Sequence, residues 1–194
     1  MTSNGKSNEI ISYNLSGKIY KSMTLEGFSV FCINYFYDKK KLKYYIITGN
    51  NNFITSYDYE ANKLYKKYEP SGEGWHGDFK VHQSDFKIKL LDSCWEDDFL
   101  RIWDFHLGTL LSKIKTGGMN IKCISIFNSR YIFVGCAYSL KLIDTKINMI
   151  ITNLIGHKDW VTSIKKIFLP NHGICFLSQG LGEKENIRIW KILH

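Results

Sequence analysis

A chain of 194 residues with 44% hydrophobic and 15% aromatic content has enough apolar material for a packed interior, which argues against wholesale disorder. Its formal charge of +8 comes almost wholly from lysine, since arginine occurs only as Arg101, Arg130 and Arg188, so the bidentate contacts that favour nucleic-acid readers have few donors. Five cysteines without a Cys-x-x-Cys pair give no disulfide framework and no zinc knuckle, and they read as small core residues of an intracellular, cytoplasmic chain.

Residues 1–8 are small and polar, which predicts a disordered N-terminus, and no apolar run near it resembles a signal peptide. No apolar stretch is long enough to span a bilayer, so no membrane partner is expected. From residue 9 onward the chain reads as short alternating strands. Two leading strands fall within 10–23. Four sets of strands then follow, near 28–68, 75–115, 120–154 and 160–194.

The sets repeat. Ile10-Ile-Ser-Tyr-Asn14, Ile54-Thr-Ser-Tyr-Asp58, Leu100-Arg-Ile-Trp-Asp104, Leu140-Lys-Leu-Ile-Asp144 and Ile187-Arg-Ile-Trp-Lys191 align with one another. Their fourth residues, Tyr13, Tyr57, Trp103, Ile143 and Trp190, stand 44, 46, 40 and 47 residues apart. Gly17, Asn62, Gly108 and Asn148 follow the first four segments and predict turns of positive φ. Upstream strands align Cys32, Cys123 and Ser163 as small spacers, and others align Thr48, Ser93, Gly135 and Ser178.

Four short strands per repeat at this period resemble the WD40 family. Arg101-Ile-Trp-Asp104 is similar to its Trp-Asp ending, and Gly156-His157 to its Gly-His opening. The resemblance implies an all-β, WD40-type β-propeller, partial or small, of about four blades of four antiparallel strands. It also implies a hydrogen-bonded network within a blade: His157, Ser178 and Trp190 in the fourth, and Ser93, Asp97 and Trp103 in the second. Glu183 or Glu185 would stand in for a missing turn aspartate. A ring of seven blades would need about 300 residues at this period. The chain therefore reads as a partial propeller, with a small ring closed by strand 18–23 on 187–191 as the alternative.

Catalytic motifs are absent: no Gly-x-Gly-x-x-Gly, Walker loop, Gly-x-Ser-x-Gly or His-Glu-x-x-His occurs. The glycine-rich Gly72–Gly77 stretch reads as an enlarged loop; an enzyme would need a convergent polar pocket there. His76, His82, Asp78 and Asp85 match no standard metal spacing, so neither metal nor cofactor is expected. Asp92, Glu96, Asp97 and Asp98 read as solvated turn residues, as do Lys39–Lys43.

In the family layout, Trp75, His76, Trp95 and Trp160 fall in or beside loops on one face, which makes them candidate partner-binding residues. The expected function is a non-catalytic protein-interaction scaffold, a subunit or fragment of a larger assembly. The alternative is an RNA-associated propeller that uses its lysine-rich loops.

Overall fold

The computed structural model describes residues 9–25, 30–69, 74–84, 87–117, 120–182 and 186–191. The expected disordered N-terminus, the residues Glu183 and Glu185, and Asp85 lie outside these ranges. Every regular element within them is a β-strand.

The strands form hairpins because apolar and polar residues alternate and short turns join them. β1 (Glu9–Tyr13) and β2 (Ile19–Thr24) pair with each other. The first full blade is β3 (Cys32–Asp38), β4 (Lys43–Gly49), β5 (Ile54–Asp58) and β6 (Lys63–Tyr68), paired in that order. The second is β7 (His76–Gln83), β8 (Ile88–Cys94), β9 (Phe99–Asp104) and β10 (Leu110–Lys115). The third blade starts with β11 (Cys123–Ile126), β12 (Tyr131–Gly135) and β13 (Ala137–Asp144).

The sequence predicts two separate strands on either side of Gly156-His157. The structure has one instead: β14 (Met149–Leu169) pairs with β13 through its first part and with β15 (Gly173–Gly180) through its second. It is thus the outer strand of the third blade and the inner strand of the fourth. β16 (Ile187–Lys191) completes the fourth blade by pairing with β15. The six strands are therefore continuous in order from β11 to β16.

Turn chemistry fixes the hairpins. The anticipated positive-φ positions are observed at Gly17 (76°), Asn62 (55°), Gly108 (74°) and Asn148 (57°). The aspartates ending the third strands cap these turns: Asp58 Oδ1 accepts from Ala61 N at 2.8 Å, Asp104 Oδ1 from Leu107 N at 2.9 Å and Asp144 Oδ1 from Lys146 N at 2.8 Å. Asn14 does the same for Lys18 N at 3.0 Å. A short acceptor that bonds the backbone two to four residues on is what the position selects.

The blades stack through apolar faces, and the inner strands touch in succession, β3 to β7, β7 to β11 and β11 to β14. Tyr45, Ile47 and Tyr68 of the first blade pack with Leu90, Trp103 and Phe105 of the second. Leu91 and Ile102 meet Ile124, Val134 and Ile143 of the third, and Cys123 and Phe133 meet Val161 and Phe176 of the fourth. Burying each such side chain contributes about 1.5–3 kcal/mol, so the interior holds as a row of inter-blade layers.

Polar bonds stitch the inner strands. Cys32 Sγ donates to His76 O at 3.5 Å and Cys123 Sγ to Val161 O at 3.4 Å, one blade to the next in each case. Both thiols fill space that the glycine opposite leaves open, Gly49 for Cys32 and Gly135 for Cys123. Val161, opposite Gly180, therefore occupies the position the sequence alignment gave to Ser163; a register shift between them displaces the alignment by two residues. Burial pushes the Cys32 thiol up to about 12, and that of Cys123 is also raised by burial, as inert core thiols require.

The molecule is a partial propeller of four blades preceded by a two-stranded sheet. Among the described residues β2 pairs only with β1, and β16 only with β15, so the alternative closure of 18–23 on 187–191 does not form. The far face of the last blade leaves Ile187 and Ile189 about 60% exposed.

Candidate functional site

One residue per blade stands immediately before the inner-strand position that faces the end of the second strand. These are Phe31, Trp75, Lys122 and Trp160, next to Cys32, His76, Cys123 and Val161 respectively. A backbone bond holds each of them. Phe31 N donates to Gly49 O at 2.9 Å and Lys122 N to Gly135 O at 3.0 Å. Trp75 O accepts from Trp95 N at 2.8 Å and Trp160 O from Leu181 N at 2.9 Å. The repeat therefore sets these side chains in a row along one face.

The row is continuous. Phe31 stacks on Trp75 at 5.1 Å between ring centroids, and Trp75 meets Trp95 at 6.0 Å. The Lys122 ammonium then lies 3.8 Å from the centroid of Trp95 and 4.1 Å from that of Trp160, which links the second blade to the fourth. Burial lowers the Lys122 pKa, against the opposing pull of Asp159. The Trp95 indole occupies the space a Cβ on Gly77 would need, and its Nε1 is buried without a hydrogen-bond partner. Phe31 and Trp75 are each 45% exposed, whereas Trp95 and Trp160 are half-buried.

The three tryptophans singled out from the sequence thus share one face, and the structure adds Phe31 and Lys122 to them. The signal for both was present as a constant offset from the inner strand, but Phe31 lacks the indole and Lys122 the ring that would draw attention. His76 does not belong to this surface. It is 1% exposed, and its Nδ1 lies 2.7 Å from Asp92 Oδ1, so the expectation that it contacts a partner is corrected to an intra-blade role.

In the fourth blade, Ser178 Oγ lies 2.7 Å from His157 Nε2 and accepts from Trp190 Nε1 at 2.7 Å. The corresponding link expected among Ser93, Asp97 and Trp103 does not form. The Ser93 hydroxyl donates to Asp78 O at 3.0 Å, Asp97 caps Phe99 N at 3.0 Å and pairs with Arg101, and Trp103 Nε1 is buried without a partner. Register gives the reason. Trp190 faces Phe176 and Trp103 faces Leu90, so the residue matching Ser178 is Asp92, not Ser93. Asp92 thus takes the place of that serine and pairs with His76, which stands at the inner-strand position of Val161 rather than that of His157.

The remaining sequence candidates scatter. Asp78 Oδ2 accepts from Ile124 N at 2.9 Å and its Oδ1 pairs with Lys80 at 2.7 Å, while His82 is half-buried with its pKa lowered by burial and Lys89. Among the described residues no three His, Cys, Asp or Glu side chains gather as a metal site. Among the described residues no helix is long and apolar enough to cross a membrane.

No family model matches the sequence, and no curated protein matches it. Among solved structures the chain is similar to the crystal structure of the WD40 beta propeller domain of Doa1, with a TM-score of 0.72 and 18% identity over 94% of this chain. That likeness establishes a WD40-type propeller fold. The chain spans 57% of the length of that structure.

Proposed function

We propose that this chain is a non-catalytic scaffold that grips a protein segment across Phe31, Trp75, Trp95 and Trp160. The observation that carries this reading is the row of rings on one face, Phe31, Trp75 and Trp95 in succession and Trp160 joined through Lys122, with its first two rings open to solvent. Large rigid rings bury much area at little entropic cost, and such residues dominate binding energy at interfaces. The half-buried rings are held by the blades beneath them, which spares a partner the cost of ordering them.

The test is selection of binding peptides from a displayed random library, followed by titration against variants. The double change Trp75→Ala with Trp160→Ala should weaken selected peptides by about tenfold or more, as loss of interface anchors does. Lys40→Glu, on the opposite face, should leave them unaffected. Peptides that bind the double variant as tightly as the wild type overturn the reading.

A further inference from the structure

The aromatic row carries one cation. Lys122 sits between Trp95 and Trp160, its Nζ 3.8 Å and 4.1 Å from the two ring centroids, and all three side chains are half-buried. An ammonium has three N–H donors and no acceptor. Among the described residues no hydrogen bond or ion pair takes up those donors. Asp159 acts on Lys122 only through its field, while its Oδ1 accepts from Trp160 N at 2.7 Å.

Such a cation excludes one class of ligand and favours another. Lys122 fills the space between the faces of Trp95 and Trp160, so a partner's cationic side chain would meet an occupied site and a like charge. A nucleic-acid strand is also poorly matched, because it brings a charge with every nucleotide and the row answers with a single ammonium. One carboxylate matches one ammonium, and a charge-assisted bond to a half-buried cation is stronger than the same bond in water. The lowered pKa of Lys122 is the direction expected of an ammonium with too little negative charge around it.

Trp95 fixes the spacing. Its centroid lies 6.0 Å from that of Trp75 and 3.8 Å from Lys122 Nζ, and Phe31 continues the row beyond Trp75 at 5.1 Å. At ~3.3 Å per extended residue, two or three residues separate a group at Lys122 from one at Trp75. Phe31 and Trp75 are open to solvent and uncharged, which suits an apolar or aromatic side chain. Building on the scaffold reading, we propose that the partner is an extended acidic segment. Its aspartate or glutamate bonds the Lys122 ammonium, and an aromatic or leucine side chain two or three residues away covers Phe31 and Trp75.

The experiment takes peptides selected on the whole chain from the displayed library and resynthesises them in two forms. One form is as selected, and the other has each acidic residue replaced by its amide. Calorimetric titration compares wild type, Lys122→Met and the double variant Trp75→Ala with Trp160→Ala. The amide form should bind wild type about tenfold or more weakly, the value of one charge-assisted bond. Lys122→Met keeps a long side chain between the indoles without its charge, so it should bind both forms alike. Amide forms that bind wild type as tightly as acidic ones overturn the acidic partner, and this comparison decides the matter even where the variant fails to fold. A Lys122→Met variant that still prefers the acidic form also overturns it, and either result leaves the aromatic scaffold standing. Peptides that ignore the double tryptophan change overturn the scaffold reading itself. Displacement of the peptides by oligouridylate at equal ionic strength overturns the acidic partner in favour of nucleic acid.

Discussion

His76 Nδ1 and Asp92 Oδ1 lie 2.7 Å apart with both side chains fully buried, and Asp92 holds in the second blade the position that Ser178 fills in the fourth. A buried pair of this kind contributes modestly as a whole, but removing one partner strands the other in a low-dielectric interior. Asp92→Ala should therefore destabilise the chain by about 3–5 kcal/mol in urea unfolding. Asp92→Ser restores the side chain present in the fourth blade and should recover part of that loss. Equal stability of the alanine variant and wild type would show that the pair is incidental.

The two aligned tryptophans should respond differently to Phe. Trp190 Nε1 donates to Ser178 Oγ at 2.7 Å, whereas Trp103 Nε1 is buried without a partner. Trp190→Phe removes a bond and leaves Ser178 short of a donor, a cost of about 1–3 kcal/mol beyond the change in volume. Trp103→Phe loses no bond and should unfold nearer to wild type once volume is allowed for. Denaturation of the two variants side by side checks this, and a larger loss for Trp103→Phe contradicts it.

Acid should unfold the chain through its turn aspartates. The hydrogen bond from Arg130 to the buried Asp144 holds that carboxyl below its ordinary value. For Asp58, burial acts to raise the pKa, yet Lys43 and the Ala61 amide outweigh it and leave it lowered. A carboxyl with a depressed folded pKa contributes stability that is complete above its unfolded pKa of about 4 and is lost as pH falls through the folded value. The melting temperature should thus be level from pH 7 to about 5 and fall steeply below about 4. Arg130→Ala should flatten part of the fall, because it removes the largest cause of the depression at Asp144 and leaves the amides of Lys146 and Ile147.

Native thiols should resist modification. Burial raises Cys136 to about 11 and Cys32 to about 12, and Cys94 is also raised by burial, so thiolate is scarce at neutral pH. Maleimide labelling should proceed at the rate of unfolding and become rapid for all five thiols only in denaturant. Fast labelling of one native thiol would place it outside the inter-blade layers.

Local chemistry alone accounts for much of this architecture. The 40–47-residue period, the alternating strands and the Asn or Gly turns follow from backbone sterics and side-chain alternation within short windows, which a sequence displays directly. The common face of Trp75, Trp95 and Trp160 was anticipated from the loop layout of the family that the repeat resembles.

Tertiary structure decided what depends on register and on neighbours distant in the chain. A bulge between Val161 and Ser163, and the pairing of Leu90 with Trp103, shift alignments by one or two residues. That is enough to hand Ser93's expected role to Asp92 and to turn His76 inward, since a single step in a strand exchanges its faces. The wedge of Lys122 between Trp95 and Trp160, and the meeting of Asp38 with His106, join side chains from different blades. No local pattern encodes such contacts. They arise because blade stacking fixes the distance between loops, and the rings and charges that face one another across it were chosen by geometry rather than by spacing.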